Sequence, residues 1–203
     1  MTRPLPPTIV VATNNAAKLR ELTGVLAPHA IEIRAANAVE PRWSIAETGR
    51  TFAENARLKA VDLAQRSGLP ALGDDSGLEV DALGGRPGVR SARYAGEAAS
   101  DTANVVKLLD ELRSIPRESR GAAFRCALAL VWPDGDVVEV EGRCEGTIAF
   151  APRGWNGFGY DPVFLDPPTS RTFAELSDEL KNQRSHRGRA IAALCAAFDG
   201  RST

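Results

Sequence analysis

Short apolar runs and amphipathic stretches follow one another along most of the chain. Residues 8–12, TIVVA, are a β-branched run with the length of a buried strand. TNNAAK then leads into a stretch with Leu19, Leu22, Val25 and Leu26 on one helical face, closing near Pro28. IEIRA, at 31–35, reads as a second short strand. From Thr51 to Gly68 the positions Ala53, Ala56, Ala60, Leu63 and Ala64 mark a helix, and Gly68-Leu69-Pro70 stops it. PALG, at 70–73, is a strand that runs into the adjacent acids Asp74 and Asp75.

In the second half, Ser100 or Asp101 caps a helix whose apolar face is Val105, Leu108, Leu109 and Leu112, ended by Pro116. Segment 122–132 alternates Phe124, Cys126, Leu128, Leu130 and Trp132 on one face, and Asp134-Gly135 signals a hairpin to a partner strand. Thr172-x-x-Glu175 has the form of a capping box for a short helix. The last helix carries Ile191, Leu194, Cys195 and Phe198 at helical spacing, with Ser185 as its cap. An early strand–helix–strand unit and a later hairpin together predict an α/β protein with a mixed sheet.

The remaining properties narrow the class. A chain of 203 residues suits one domain, 1–203, built of two lobes that do not fold separately. With 43% hydrophobic and 25% charged residues the composition is globular. A net charge of −1 supplies no general attraction for nucleic acid, and no apolar run is long enough to cross a bilayer. The opening MTRPLPPTIVVA lacks the apolar core of a leader peptide. Cys126, Cys144 and Cys195 are odd in number and widely spaced. They read as free thiols in a reducing compartment, so a cytoplasmic location is expected.

Five stretches carry chemistry. TNNAAK (13–18) sits where a strand hands over to a helix, with Asn15 as a cap and Lys18 in the first turn, a place that favours an anion. ETGRTFAENARLKA (47–60) puts Asn55, Lys59 and Asp62 on one helical stripe, and Glu47 is a loop carboxylate or a metal ligand. GDDSG (73–77) offers carboxylates to a hard cation such as Mg²⁺, or forms an Asx-type turn. The glycine-rich GGRPG and SARYAG patches follow it. GWNGFGYDP (154–162) can present an aromatic face to a nucleobase, with Asp161 accepting from ring N–H groups, or plug a core edge. KNQRSHRG (181–188) gathers Lys181, Arg184, His186 and Arg187 ahead of the last helix, where cations oppose the dipole and call for an anion or carbonyl.

Taken in order and spacing, these stretches resemble the inosine triphosphate pyrophosphatase family, the noncanonical purine nucleoside triphosphate pyrophosphatases. The matching runs are Thr13-x-Asn15-x-x-Lys18, ETG with FAENARLKA, DDSGLEVDALGGRPGVRSARYAG, GFGYDP and SHRG, spread over about residues 8–198. The resemblance implies an elongated mixed sheet flanked by helices, with the substrate in a cleft between two lobes. It also implies a homodimer and a Mg²⁺-dependent cleavage of ITP, dITP or XTP to monophosphate and pyrophosphate. Thr13, Asn14, Asn15, Ala16, Ala17, Lys18 and Lys59 would then hold the triphosphate. Asp75 would be the metal-linked carboxylate and general base, Ser76 would touch substrate, and Glu47 and Asp74 would be further metal ligands. Phe158 would stack on the base, in a loop continued by Gly159 and Tyr160. Asp161, Lys181, His186 and Arg187 would read the base's polar edge. Asn14 stands where the family commonly has glycine, and because Asn tolerates unusual backbone angles the loop is expected to keep its path.

Overall fold

The computed structural model describes residues 4–29 and 31–199; Met1–Arg3, the start of the stretch read above for a leader, lie outside the described residues. Among the described residues seven strands form one mixed sheet: β1 (Thr8–Ala12), β2 (Glu32–Ala35), β3 (Ala71–Val80), β4 (Gly121–Val131), β5 (Val137–Ile148), β6 (Phe164–Asp166) and β7 (Arg171–Thr172). Their order is β2-β1-β3-β4-β5-β6-β7. β1 is parallel to β2 and β3, whereas β5, β6 and β7 pair antiparallel. The helices are α1 (Ala16–Leu26), α2 (Ala36–Val39), α3 (Phe52–Ser67), α4 (Asp101–Glu111), α5 (Asp178–Arg184) and α6 (His186–Asp199). The chain divides into two compact units. The first holds residues up to Asp75, Cys126–Gly142 and those from His186; the second holds Ser76–Arg125 and Arg143–Ser185.

In the first unit β1 is buried from Ile9 to Ala12, as a parallel strand covered on both faces must be. Its core joins Ile9, Val11, Leu72, Leu128 and Leu130 with Leu22 and Leu26 of α1 and Ile191 and Leu194 of α6. The cap predicted at Asn15 forms, and Thr51 caps α3. Asn15 accepts from the N–H groups of Ala17 and Lys18 at 2.9 and 3.1 Å, and Thr51 accepts from Glu54. Gly68 ends α3 in the left-handed conformation, φ 66°. Gly73 is the tightest point, because a Cβ there would lie 1.9 Å from the Ala56 carbonyl oxygen on α3. Gly73→Ala is therefore expected to cost at least about 3 kcal/mol, the upper end of ordinary overpacking, read as a drop in the urea midpoint.

The second unit has its own core of Leu78, Val105, Leu108 and three packed rings, Phe124, Phe164 and Phe173. Arg120 is buried there, and its guanidinium donates to the carbonyls of Leu112 and Ala149 at 2.6 and 2.8 Å. It thereby satisfies acceptors just past the ends of α4 and β5.

Three expectations change in detail. The acidic pair is not in a turn: β3 runs unbroken from Ala71 to Val80 through both residues, so the Asx-type alternative is set aside. Segment 122–132 is buried on both faces, and Phe124 packs in the second core while Cys126, Leu128, Leu130 and Trp132 pack in the first. Thr172-x-x-Glu175 starts a single 3-10 turn, Phe173–Glu175, with the Glu175 carboxylate accepting from the Thr172 N–H at 2.7 Å. The hairpin forms as predicted, with Gly135 at φ 96°.

Candidate active site

The first unit builds its polar centre where β1 and β3 lie side by side, Ala12 opposite Gly73. Lys59, on α3, points its ammonium at three oxygens: Glu47 at 2.6 Å, Asp75 at 2.9 Å and the Asp74 carbonyl at 3.0 Å. Asn55, one helical turn earlier and fully buried, donates to Asp75 at 3.1 Å and accepts from the Gly49 N–H at 2.8 Å. It thus ties the ETG loop, which carries Glu47, to the β3 carboxylate. Burial opposes the Lys59 charge, but Asp75 and Glu47 outweigh it and hold its pKa above the ordinary lysine value. Burial also pushes the Asp75 carboxyl up, against the pull of Lys59 and Lys18. Two carboxylates that reach one ammonium can converge on a small hard cation, whose remaining positions are filled by water or phosphate oxygens. Among the described residues no group of three or more His, Cys, Asp or Glu is placed to hold a metal.

Asp74 has a different surrounding. Its oxygens accept from Arg187 Nε at 2.7 Å and Lys18 Nζ at 2.6 Å, and the Cys126 thiol lies 3.5 Å away. Burial works against its charge, yet Arg187 and Lys18 prevail and hold the carboxyl well below the usual range. The same desolvation opposes the Arg187 charge, and Asp74 and Glu21 more than offset it. The expectation of Asp74 as a metal ligand meets a carboxylate already committed to two cations. The expectation that the Arg187 side chain reads a base meets a guanidinium engaged by Asp74 and Glu21. The anion that a cation at the start of α6 calls for is internal. His186, beside it, is buried in the same unit.

In the phosphate-type loop Asn14 takes no left-handed angle, and its amide donates to the Trp43 carbonyl at 2.9 Å. Thr13 accepts from the Asn15 N–H at 3.1 Å. The position therefore does not need glycine's freedom, and Asn adds an anchor.

The second unit holds Ser76, half-buried on β3, and the aromatic loop. Gly154, Gly157 and Gly159 take φ of 75, 77 and 61°, angles that glycine adopts without strain. Phe158 is half-buried, and Lys181 of α5 sits over its ring at 5.0 Å. The Asp161 carboxylate is buried; it accepts from Lys181 at 2.5 Å and from the Phe158 N–H at 2.8 Å. Asp161 therefore holds the loop and its lysine instead of presenting a free acceptor. Tyr160 turns inward, its hydroxyl donating to the Ser91 carbonyl at 2.9 Å.

Thr13 to Lys18, Glu47, Lys59, Asp74, Asp75, His186 and Arg187 thus share the first unit, and Ser76, Phe158 to Asp161 and Lys181 the second. Sequence reasoning passed over Asn55 and Glu21 as site residues. Asn55 had a signal, a polar side chain four residues before Lys59 on the same stripe; Glu21 pairs with a residue far along the chain and had none.

A mixed sheet that sets Asp75 of β3 and Glu47 of the loop before α3 on one lysine, beside a capped strand-to-helix turn, gives an α/β protein a polar centre suited to a phosphorylated substrate. Comparison with known proteins makes this specific. Residues 9–197 match the model of the Ham1 family, and the chain belongs to that family. It is 52% identical to a dITP/XTP pyrophosphatase of Geobacillus kaustophilus, over 92% of this chain and 91% of the relative. It is 51% identical to one from Geobacter sulfurreducens, over 92% and 94%. Among solved structures, a HAM1 protein from Coxiella burnetii superposes with a TM-score of 0.86 at 42% identity, covering 96% of this chain and all of that one.

Proposed function

We propose that this protein hydrolyses noncanonical purine nucleoside triphosphates, ITP, dITP and XTP, to the monophosphate and pyrophosphate, removing deaminated purines from the nucleotide pool. The observation that carries the reading is the convergence of Glu47, Asp75 and Lys59, buttressed by Asn55, beside Lys18 and the capped loop. Curated relatives at about half identity over nine-tenths of the chain act on dITP and XTP by name.

In this reading Asp75 and Glu47 would hold Mg²⁺, which would supply positive charge against the phosphates. Lys18 and the loop of residues 13–17 bind the triphosphate. Asp75, its pKa raised by burial, takes the proton of the attacking water. Phe158 stacks on the base, and Lys181 offers donor hydrogens to a 6-oxo group. Adenine presents a 6-amino donor instead, and the mismatch costs about 1–3 kcal/mol, roughly tenfold to hundredfold in selectivity. The three buried free cysteines suit a cytoplasmic enzyme, and the working form is a homodimer, to be checked by light scattering. Because β3, β4 and β5 each contribute to both units, the chain is expected to unfold as one domain.

With Mg²⁺ and ITP, purified protein should yield IMP and pyrophosphate, with ATP and GTP turned over poorly. Orthophosphate as the sole product, or equal turnover of ATP, would overturn the reading, and chelation with EDTA should abolish turnover. Phe158→Ala should raise KM for ITP about tenfold, the loss of one stacked base; an unchanged KM would count against the stacking role.

A further inference from the structure

We propose that Asp101 is a positioning residue for the purine: its carboxylate sets the aromatic loop, and so governs base binding without touching the phosphates. The inference rests on the base-stacking reading given above for Phe158. Asp101 is the first residue of α4, after the cap Ser100, and its Oδ2 accepts from the Gly159 N–H at 2.7 Å. On the other side of Phe158, Asp161 accepts from the Phe158 N–H at 2.8 Å. Two carboxylates from different elements therefore grip consecutive peptide N–H groups at the stacking residue. The glycines on either side, both at positive φ, give the segment little stiffness of its own. Asp161 holds the segment from within the loop, and Asp101 holds it from outside.

The first turn of α4 is itself held. Asn104, buried, donates to the Ala92 carbonyl at 3.1 Å and accepts from the Ala95 N–H at 2.8 Å. The 3-10 segment Gly88–Arg93 before it is locked by Ser91, whose hydroxyl donates to the Gly88 carbonyl at 2.6 Å and accepts from the Leu78 N–H at 2.9 Å. The carbonyl of Ser91 receives the Tyr160 hydroxyl, two residues beyond Phe158. The glycine- and arginine-rich GGRPG and SARYAG patches thus carry a frame on which Asp101 and Tyr160 seat the base-binding loop. Sequence alone assigned Asp101 only a capping role.

The test measures ITP hydrolysis with inhibition by inorganic tripolyphosphate, a probe that has no base. Asp101→Ala should raise KM for ITP about tenfold, the scale of a lost hydrogen bond to a charged group, with kcat and tripolyphosphate inhibition unchanged. Asp101→Ser, whose oxygen is too short to reach, should do the same through a side chain that still suits a helix start. Asp101→Asn, which retains an acceptor, should restore KM to near the parent value. Thermal midpoints establish that each variant is folded. An unchanged KM in the Ala and Ser variants, a parallel loss of tripolyphosphate affinity, or an Asn variant as poor as Ala would each overturn the assignment. Phe158→Ala run alongside separates the two ideas. If it leaves KM unchanged, the base-stacking reading itself fails; if it raises KM while Asp101→Ala does not, only the role of Asp101 fails.

Discussion

Asp75→Asn is expected to lower ITP turnover by about 10²–10⁴-fold, the usual contribution of a positioned general base, while leaving the protein folded with a stability close to the parent's. The stability half follows from the direction of the pKa. Burial raises the folded value of Asp75 above the ordinary aspartate value of 3.8, so the fold disfavours its charge. That penalty is fully present above the folded pKa and disappears as the pH falls below the unfolded value. Asn removes the charge at nearly constant volume and so removes the penalty, but its single oxygen replaces two acceptors and gives back part of that gain at Asn55 or Lys59. Lys59 keeps Glu47 at 2.6 Å and the Asp74 carbonyl at 3.0 Å, so it is not stranded. Steady-state turnover and a urea midpoint on the same preparation decide the matter. An unfolded variant would make Asp75 structural, and retained turnover would remove it from the chemistry.

Much of this arrangement was legible in the sequence, for definite reasons. Strand–helix handovers, Asn15 as a cap and Gly68 as a stop depend on neighbours within a few residues, and local chemistry determined them. The stripe that puts Asn55 and Lys59 on one face of α3 was equally local, but not its direction: Asn55 is buried and donates to Asp75 of β3. GDDSG was less legible. Asp, Ser and Gly favour turns, but β3 pairs with β1 as far as Gly73 and has β4 as its other neighbour in the sheet, so tertiary context overrode local preference. The cations ahead of α6 were recognised as needing an anion; nothing local could say that it came from Asp74, 113 residues away along the chain. Likewise, periodicity placed Asp101 at a helix start but could not show its carboxylate on a peptide 58 residues downstream.

The extended path of β3 also separates the fates of the two neighbouring acids, because successive side chains leave a strand on opposite sides. Asp74→Asn is therefore expected to behave in the opposite way to Asp75→Asn. Its folded pKa is depressed, so its charge adds stability that is present above the unfolded value near 3.8 and is lost as the pH falls through the folded one. At neutral pH the Asn variant forfeits that stability. It leaves Arg187, only 1% exposed, with Glu21 as the carboxylate that still faces it. Breaking a buried ion pair on one side costs about 3–5 kcal/mol, a large part of the stability of a single domain. The urea midpoint should fall accordingly with the slope unchanged, and turnover should fall because Lys18 loses its anchor at 2.6 Å. Adding Arg187→Met to Asp74→Asn should recover part of the midpoint, since an apolar side chain replaces a charge left without its principal partner. A double variant no more stable than Asp74→Asn would mean that the pairing with Asp74 is not what makes the buried guanidinium tolerable.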